Sequence, residues 1–348
     1  MSVNIKNIAN HCGVSFKTVS NVIRGYNFVK DETREKVLNA VRELGYIPNE
    51  SASRLAKLKC KTDGKKNSSG SLKMGCILGD QIDKYHDPYF WSVFKGIEQE
   101  INNTGHNLIF FKTCLELEKN PVIFNTLCSP YNLDGIISFV GTDRKKIFLN
   151  ISSAMPLVSI GAVSGYDSIV IDKTCGARLA VEYLSGLGHK KIGFIGKVKN
   201  LFNRYDERFT GFLTALDEYG LERNEEWYRG NAFGHEAGYS AACELLGGTN
   251  LPTAVFCISD LTAFGALKAF RQKDIRVPAD VSVIGFDDIF FSEFINPPLT
   301  TIHVDSEEIG RCAVNALSEK IRNPAAGPVT RMLPVSLKER ESCCRYDK

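Results

Sequence analysis

Lys17 and Asn21, with Phe16 before them, are the side chains of this chain best suited to reading the edges of nucleic-acid bases. A lysine ammonium donates to guanine O6 and N7, and an asparagine amide pairs with adenine N6 and N7. An aromatic ring contacts a thymine methyl or packs over the backbone. The hydroxyls of Ser15, Thr18 and Ser20 suit phosphate oxygens. This chemistry needs the residues at the start of a helix, because a recognition helix enters the major groove with its N-terminal residues against the bases.

The surrounding pattern supplies such a helix. In IKNIANHCGVSFKTVSNVI, Ile5, Ile8 and Ala9 recur at helical spacing, Gly13 interrupts, and Val14, Val19 and Val22 resume. Gly13 suits a turn position with positive φ, and Ser15 caps a second helix that begins at about Phe16. A third helix is expected over Asp31 to Leu44, with Val37, Leu38, Val41 and Leu44 as its apolar stripe and Gly45 as its stop. Three short helices with this tight turn form a helix-turn-helix head. Charge follows the same division. Residues 1–66 carry 13 Lys/Arg against 6 Asp/Glu and residues 67–348 carry 30 against 34, a +7 head on a −4 body within a net +3. That is the footprint of a polyanion-binding module joined to a body with another task.

After Gly45-Tyr-Ile-Pro-Asn49 comes ESASRLAKLK, a run of helix formers and small residues too short to be a stable helix alone. Such a segment orders when DNA or a partner chain supplies the missing contacts. The motifs I-x-x-I-A-x-x-x-G-V-S-x-x-T-V-S-x-V-I-x-G and T-R-x-x-V-x-x-A-x-x-x-L-G-Y-x-P-N closely resemble the lactose-repressor (LacI/GalR) family of bacterial regulators. The resemblance implies that residues 48–59 are a hinge helix. Two copies from a dimer would open the minor groove with Leu55 as the wedge, flanked by Ala52 and Ala56, and with Asn49 at the DNA. Many members carry arginine near the end of the recognition stretch, where this chain has Asn21. The operator half-site is therefore expected to differ.

Residues 60–72, rich in Lys, Ser, Gly and Asn, read as a flexible linker longer than the family's usual connection. From residue 73 short apolar runs alternate with amphipathic helices: MGCILGD, then Tyr89 to Thr104; NLIFFKT; DGIISFVG; PLVSIG; SIVID, then Cys175 to Leu187; KIGFIG, then Phe209 to Tyr219; TAVFCIS, then Leu261 to Lys273; VSVIGFDD. This alternation indicates doubly wound parallel sheets in two lobes, with a ligand cleft at the carboxyl ends of the strands.

The resemblance extends through the body in DPYFWSVFKGIE, GARLAVEYLSGLGHKKIGFIG, PTAVFCISDLTAFGALKAF, VPADVSVIGFDD, PPLTTI and LKERES. The expected fold is an all-α helix-turn-helix DNA-binding head (1–47) on an α/β periplasmic-binding-protein-like body (73–345). One lobe takes 73–172 and 303–326, the other 173–302 and 327–345, with three crossings. Effector contacts implied by the resemblance are Arg208, a cationic fork, and Asp287 and Asp260, which accept hydrogen bonds. Tyr89, Phe90 and Phe233 would stack on or wall the ligand. Gly161 and Ser259 replace an aspartate and an asparagine of sugar-binding relatives. A sugar or sugar derivative is the first expectation, with a nucleobase, nucleoside or phosphorylated metabolite as alternatives.

An enzyme on the same fold is the competing class. G-x-S-x-G, Walker A and H-E-x-x-H motifs are absent, as is Gly-x-Gly-x-x-Gly after the first strand, and no histidine has a nucleophile partner. No catalytic residue, metal or cofactor is expected. His189, in LGHKKIGF, reads as a helix end. Eleven cysteines are an odd number, and Cys12, Cys76, Cys128, Cys257 and Cys312 sit among apolar neighbours, which favours buried free thiols in a reducing compartment. MSVNIKNIAN has no apolar stretch after its charges, so a leader is not expected, and no run approaches the roughly 18 apolar residues of a membrane span. A cytoplasmic, nucleoid-bound homodimer with double-stranded operator DNA and a small effector as partners is expected, without a membrane and without the leucine heptads that would tetramerise it.

Overall fold

The computed structural model describes residues 5–23, 29–43, 70–79, 86–119, 132–139, 155–197 and 206–347. In the head, α1 (Ile5–Cys12), α2 (Phe16–Ile23) and α3 (Asp31–Glu43) close around Ile8, Ala9, Cys12, Val19, Val22, Val37 and Ala40. Gly13 turns the chain between α1 and α2 at φ +62°, a conformation that disfavours a side chain. The residues assigned above to the hinge, Asn49, Ala52, Leu55 and Ala56, lie outside the described residues.

Among the described residues the body holds two six-stranded sheets. The first contains β1 (Lys73–Leu78), β2 (Asn107–Thr113), β3 (Gly135–Phe139), β4 (Leu157–Ile160), β5 (Asp167–Ile171) and, much later in the chain, β11 (Thr330–Leu333), in the order β11-β5-β4-β3-β1-β2. The second contains β6 (Ile192–Ile195), β7 (Tyr228–Arg229), β8 (Ala254–Cys257), β9 (Ser282–Asp287), β10 (Thr300–Val304) and β12 (Val335–Lys338), in the order β12-β10-β9-β8-β6-β7. Every pairing is parallel except that of β12 with β10. Because β11 pairs with β5, residues 330–333 go with the first sheet, whereas the sequence reading ends that lobe at 326. Because β10 runs to Val304 beside β9, residues 303–304 go with the second sheet, whereas the sequence reading gives them to the first lobe.

Helices α4 (Pro88–Asn103), α5 (Cys114–Lys119) and α10 (Ser306–Arg322) pack with the first sheet. Helices α6 (Lys173–Gly186), α7 (Glu207–Glu218), α8 (His235–Leu246) and α9 (Asp260–Gln272) pack with the second. Side chains just ahead of the helices set their starts: Asp87, Asp172, Asp206, Ser259 and Asp305 each accept a hydrogen bond from a first-turn backbone N–H, satisfying donors that have no partner within the helix. The α4/α10 pair is closed by glycine on both sides. A Cβ at Gly96 would strike the Glu307 carbonyl, and one at Gly310 the Val93 carbonyl.

Cys12, Cys76, Cys114 and Cys257 are buried free thiols, while Cys312 is half-buried; Cys128 lies outside the described residues. His189 follows the end of α6 and is buried, with its ring nitrogens on Thr253 Oγ1 (2.9 Å), Ser282 Oγ (3.0 Å) and the Cys344 carbonyl (3.1 Å). Burial holds its pKa below the ordinary histidine value, against the Cys344 carbonyl. Among the described residues no helix is long and apolar enough to cross a membrane.

Overpacking a tight crossing destabilises by about 1–3 kcal/mol. Gly310→Val is expected to lower the unfolding free energy by about that amount in a urea titration. Gly186→Ala, at a helical position with nothing within 4 Å of the added methyl, should instead gain up to about 1 kcal/mol. Equal effects of the two substitutions would reject close helix approach as the reason for Gly310.

Candidate ligand cleft and nucleic-acid interface

At the head, Ser15 Oγ accepts the Thr18 backbone N–H (3.0 Å) and lies 2.8 Å from Thr18 Oγ1. This capping fixes where α2 begins. Phe16 and Lys17 then stand exposed on its first turn, Phe16 with 56 % of its surface free, while Thr18, Ser20 and Asn21 are half-buried. The backbone thus places Phe16 and Lys17 where a groove could receive them. Ser15 serves the helix before it serves any phosphate.

In the body, the carboxyl ends of β6 to β9 converge. Asp206 caps α7 and also grips Arg208, with Nε to Oδ1 at 3.0 Å and Nη2 to Oδ2 at 3.4 Å. The Arg208 guanidinium lies 5.0 Å from the Phe233 ring centroid and 5.3 Å from that of Phe286, within the range of cation–π attraction. Burial opposes its charge, but Asp206, then Asp287 and Tyr89, outweigh burial and hold the cation. Burial likewise works to raise the Asp206 pKa, and Arg208 overcomes it to leave the carboxyl below its ordinary value.

Asp287 ends β9 at φ +115°. Among the described residues no donor hydrogen-bonds to its carboxylate. Burial pushes its pKa well above the ordinary range; Arg208 pulls the other way, while Asp260, Asp87 and Asp206 add to the rise. Tyr89 comes from the other lobe, on the first turn of α4, close enough to feel both Asp287 and Arg208, and burial raises its phenol. Phe233 is 45 % exposed immediately before α8. Arg208, Asp287, Tyr89 and Phe233 therefore come together across the two lobes.

Two expected contacts do not join them. Phe90 is 1 % exposed, stacked on Phe111 (5.4 Å between centroids) and edge-on to Phe139 (5.2 Å). It is one step round the helix from Tyr89 and faces the core. Asp260 is fully buried and accepts from the Ile289 backbone N–H (2.9 Å), Ser292 Oγ (2.6 Å) and Thr301 Oγ1 (2.5 Å). Its oxygens are occupied by the protein, so it shapes the loop after β9 rather than opening to the cleft. Ser259, the family's asparagine position, is the cap of α9. The sequence reading missed Asp206, Asp87 and Phe286; the Asp-x-Arg spacing before an amphipathic helix was the available signal for the first.

The chain can be set beside known proteins. The family profile "Bacterial regulatory proteins, lacI family" matches residues 4–49, and "Periplasmic binding protein-like domain" matches residues 181–343. The ribose operon repressor of Haemophilus influenzae is 33 % identical over 342 residues, 97 % of this chain and 98 % of that protein. The HTH-type transcriptional repressor PurR of Pasteurella multocida is 35 % identical over 324 residues, 91 % of each. Among solved structures, the lac repressor dimer bound to operator and the anti-inducer ONPF superposes with a TM-score of 0.67 at 27 % identity, covering 99 % of this chain and 100 % of that one.

Burial, despite three donors, pushes the Asp260 pKa up to about 7, from an ordinary value of about 3.9. The native state therefore holds a proton that the unfolded chain releases, and this group's contribution falls as pH rises from about 4 to about 7, by up to about 1.4 kcal/mol per pH unit. Asp260→Asn should flatten the stability–pH profile by that slope between about pH 5 and pH 7. Parallel profiles for the two proteins would reject the raised pKa.

Proposed function

The chain belongs to the lacI family of bacterial regulatory proteins and is a DNA-binding repressor rather than an enzyme, and from that premise we propose that a neutral, hydroxyl-rich small molecule, a sugar, sets its grip on operator DNA. The observation that carries the ligand class is the charge balance of the cleft. Asp206 and Asp287 flank one guanidinium that Asp206 already holds, and the charge of Asp87 bears on Asp287 as well. An anion entering here would meet carboxylates. A ligand with hydroxyl donors gives Asp287 the partner it lacks, while Arg208 offers its remaining N–H groups and the rings of Tyr89 and Phe233 cover an apolar face. A purine base, with N–H donors and a flat face, is the second reading, favoured by the similarity to PurR.

At the DNA, Phe16, Lys17 and Asn21 read the major groove, while Ser15, Thr18 and Ser20 line the phosphates. Asn49, Ala52, Leu55 and Ala56 belong to paired hinge segments in the minor groove. Residues 1–47 serve as the DNA-binding head, 48–59 as the hinge, 60–72 as the linker and 73–345 as the effector and dimer body. Pairing requires a second copy. The second lobe offers an apolar patch for it in Phe290, Phe291 and Phe294, 67 %, 52 % and 65 % exposed, with the Phe290 ring against each of the other two. Effector binding changes lobe closure, closure changes dimer geometry, and geometry decides whether the hinges order on DNA, a coupling of about 1–3 kcal/mol between sites.

A thermal-shift comparison of D-ribose, ribose 5-phosphate and adenine tests the ligand class. D-ribose is expected to stabilise by about 2.7 kcal/mol at a hundredfold excess over its dissociation constant, with Asp287→Ala abolishing the shift. A response to ribose 5-phosphate alone would overturn the charge argument, and a response to adenine alone would establish the second reading.

Operator titrations test the head. Leu55→Ala should weaken binding to a selected operator far more than to random DNA, and Phe290→Ser with Phe294→Ser should yield monomers that bind neither well. Equal loss on both DNAs for Leu55→Ala would reject the wedge, and an intact dimer would reject the patch.

A further inference from the structure

Two consecutive non-glycine residues close β9 in the left-handed region, Asp287 at φ +115° and Asp288 at φ +56°. Backbone of this kind persists only where neighbouring structure over-determines it. Part of the restraint lies beneath the turn, where Asp260 receives the Ile289 N–H and the Ser292 hydroxyl. The rest is Asp288. Its carboxylate accepts from Arg340 Nη2 at 2.6 Å and faces His303 Nδ1 at 2.8 Å, and its side chain is 11 % exposed. Arg340 also donates from Nη1 to the Leu299 carbonyl (2.8 Å) and from its backbone N–H to Thr300 Oγ1 (2.9 Å), so one residue clamps Asp288 to the start of β10. His303 lies on β10 itself, in register with Asp287. The chain leaves β10 after Val304 and enters α10, which packs on the first sheet.

We propose that Asp288 is a positioning residue for Asp287: pinned by Arg340 and His303, it holds the strained turn that aims the Asp287 carboxylate, and it fastens that turn to the strand that crosses between the lobes. That the turn matters to a ligand rests on the reading of Asp287 above; that Asp288 holds it does not. Asp287 and Asp288 divide the work by what their oxygens meet. Asp288 has two cationic or N–H partners from the protein. Asp287 feels the Arg208 charge but accepts no hydrogen bond on its carboxylate among the described residues.

Hydrogen exchange on the full chain, without ligand, tests this. Asp288→Asn keeps size and removes the charge that Arg340 and His303 grip. The Ile289 amide and those of residues 300–304 should exchange at least about tenfold faster, a change of about 1.4 kcal/mol in local opening, while β1 to β5 stay protected. Adding Asp287→Gly, which takes away the φ penalty, should return Ile289 most of the way to its original rate. A merely structural ion pair gives no such rescue. Exchange unchanged by Asp288→Asn, or unrescued by Asp287→Gly, overturns the proposal. His303→Gln, which removes one tie and leaves Arg340, should show a smaller increase with the same rescue. Because no ligand enters the measurement, an empty sugar screen would remove the ligand reading and leave this result to stand or fall by itself.

Discussion

The buried carboxylate of Asp260 sets conditions that much of the second lobe must meet. A charge-bearing group with no exposed surface is tolerable only when its oxygens are occupied, and here a backbone N–H and two hydroxyls converge on them from Ile289, Ser292 and Thr301. Those three residues belong to the loop after β9 and to β10. One side chain at the start of α9 therefore fixes where β9 ends and where β10 runs beside it. The neighbouring Gly285 is part of the same arrangement, since a Cβ there would collide with an Asp260 oxygen. The turn that carries Asp287 is built over this base, and its position follows from it.

Arg208 meets the same demand in another way. Its guanidinium is deeply placed, so it needs both a counter-charge and a surface that tolerates a weakly hydrated planar cation. Asp206 supplies the first from two residues away and, because it also caps α7, fixes the helix and the arginine together. Phe233 and Phe286 supply the second. An arginine restrained on three sides has little freedom left to move, while Asp287 beside it has no hydrogen-bond donor on its carboxylate among the described residues.

Much of this was legible in the chain. The apolar run Asn107–Thr113 coincides with its strand, and α2 begins at Phe16, where Ser15 and Gly13 mark its start. The starts of α4, α6, α7 and α9 lie one or two residues before the reading, at Pro88, Lys173, Glu207 and Asp260, because capping draws polar residues into the first turn and apolar periodicity begins only after them. Strands β11 and β12 escaped notice because their side chains alternate between exposed and half-buried and make no continuous apolar run. At the site, residue type alone could not separate Tyr89 from Phe90, which are adjacent on one helix yet face cleft and core. Nor could it tell that the aspartate of Ser259-Asp260 turns inward while that of Phe286-Asp287 turns outward. These distinctions depend on tertiary contacts with β9 and β10, far from either residue in sequence.

The two lobes meet the candidate ligand through elements that also join them to each other. Tyr89 and Asp87 stand at the head of α4, and α4 lies against α10 so closely that glycine is needed at Gly96 and Gly310. Helix α10 begins directly after β10, whose His303 reaches the carboxylate next to Asp287. The path from the first lobe's contact to the second lobe's contact thus runs through rigid packing and a single crossover strand. A ligand can shift a conformational equilibrium only by binding one arrangement better than another. A molecule touching Tyr89 and Asp287 together spans the joint, so its contacts must change whenever the lobes move, and differential affinity follows from where it sits.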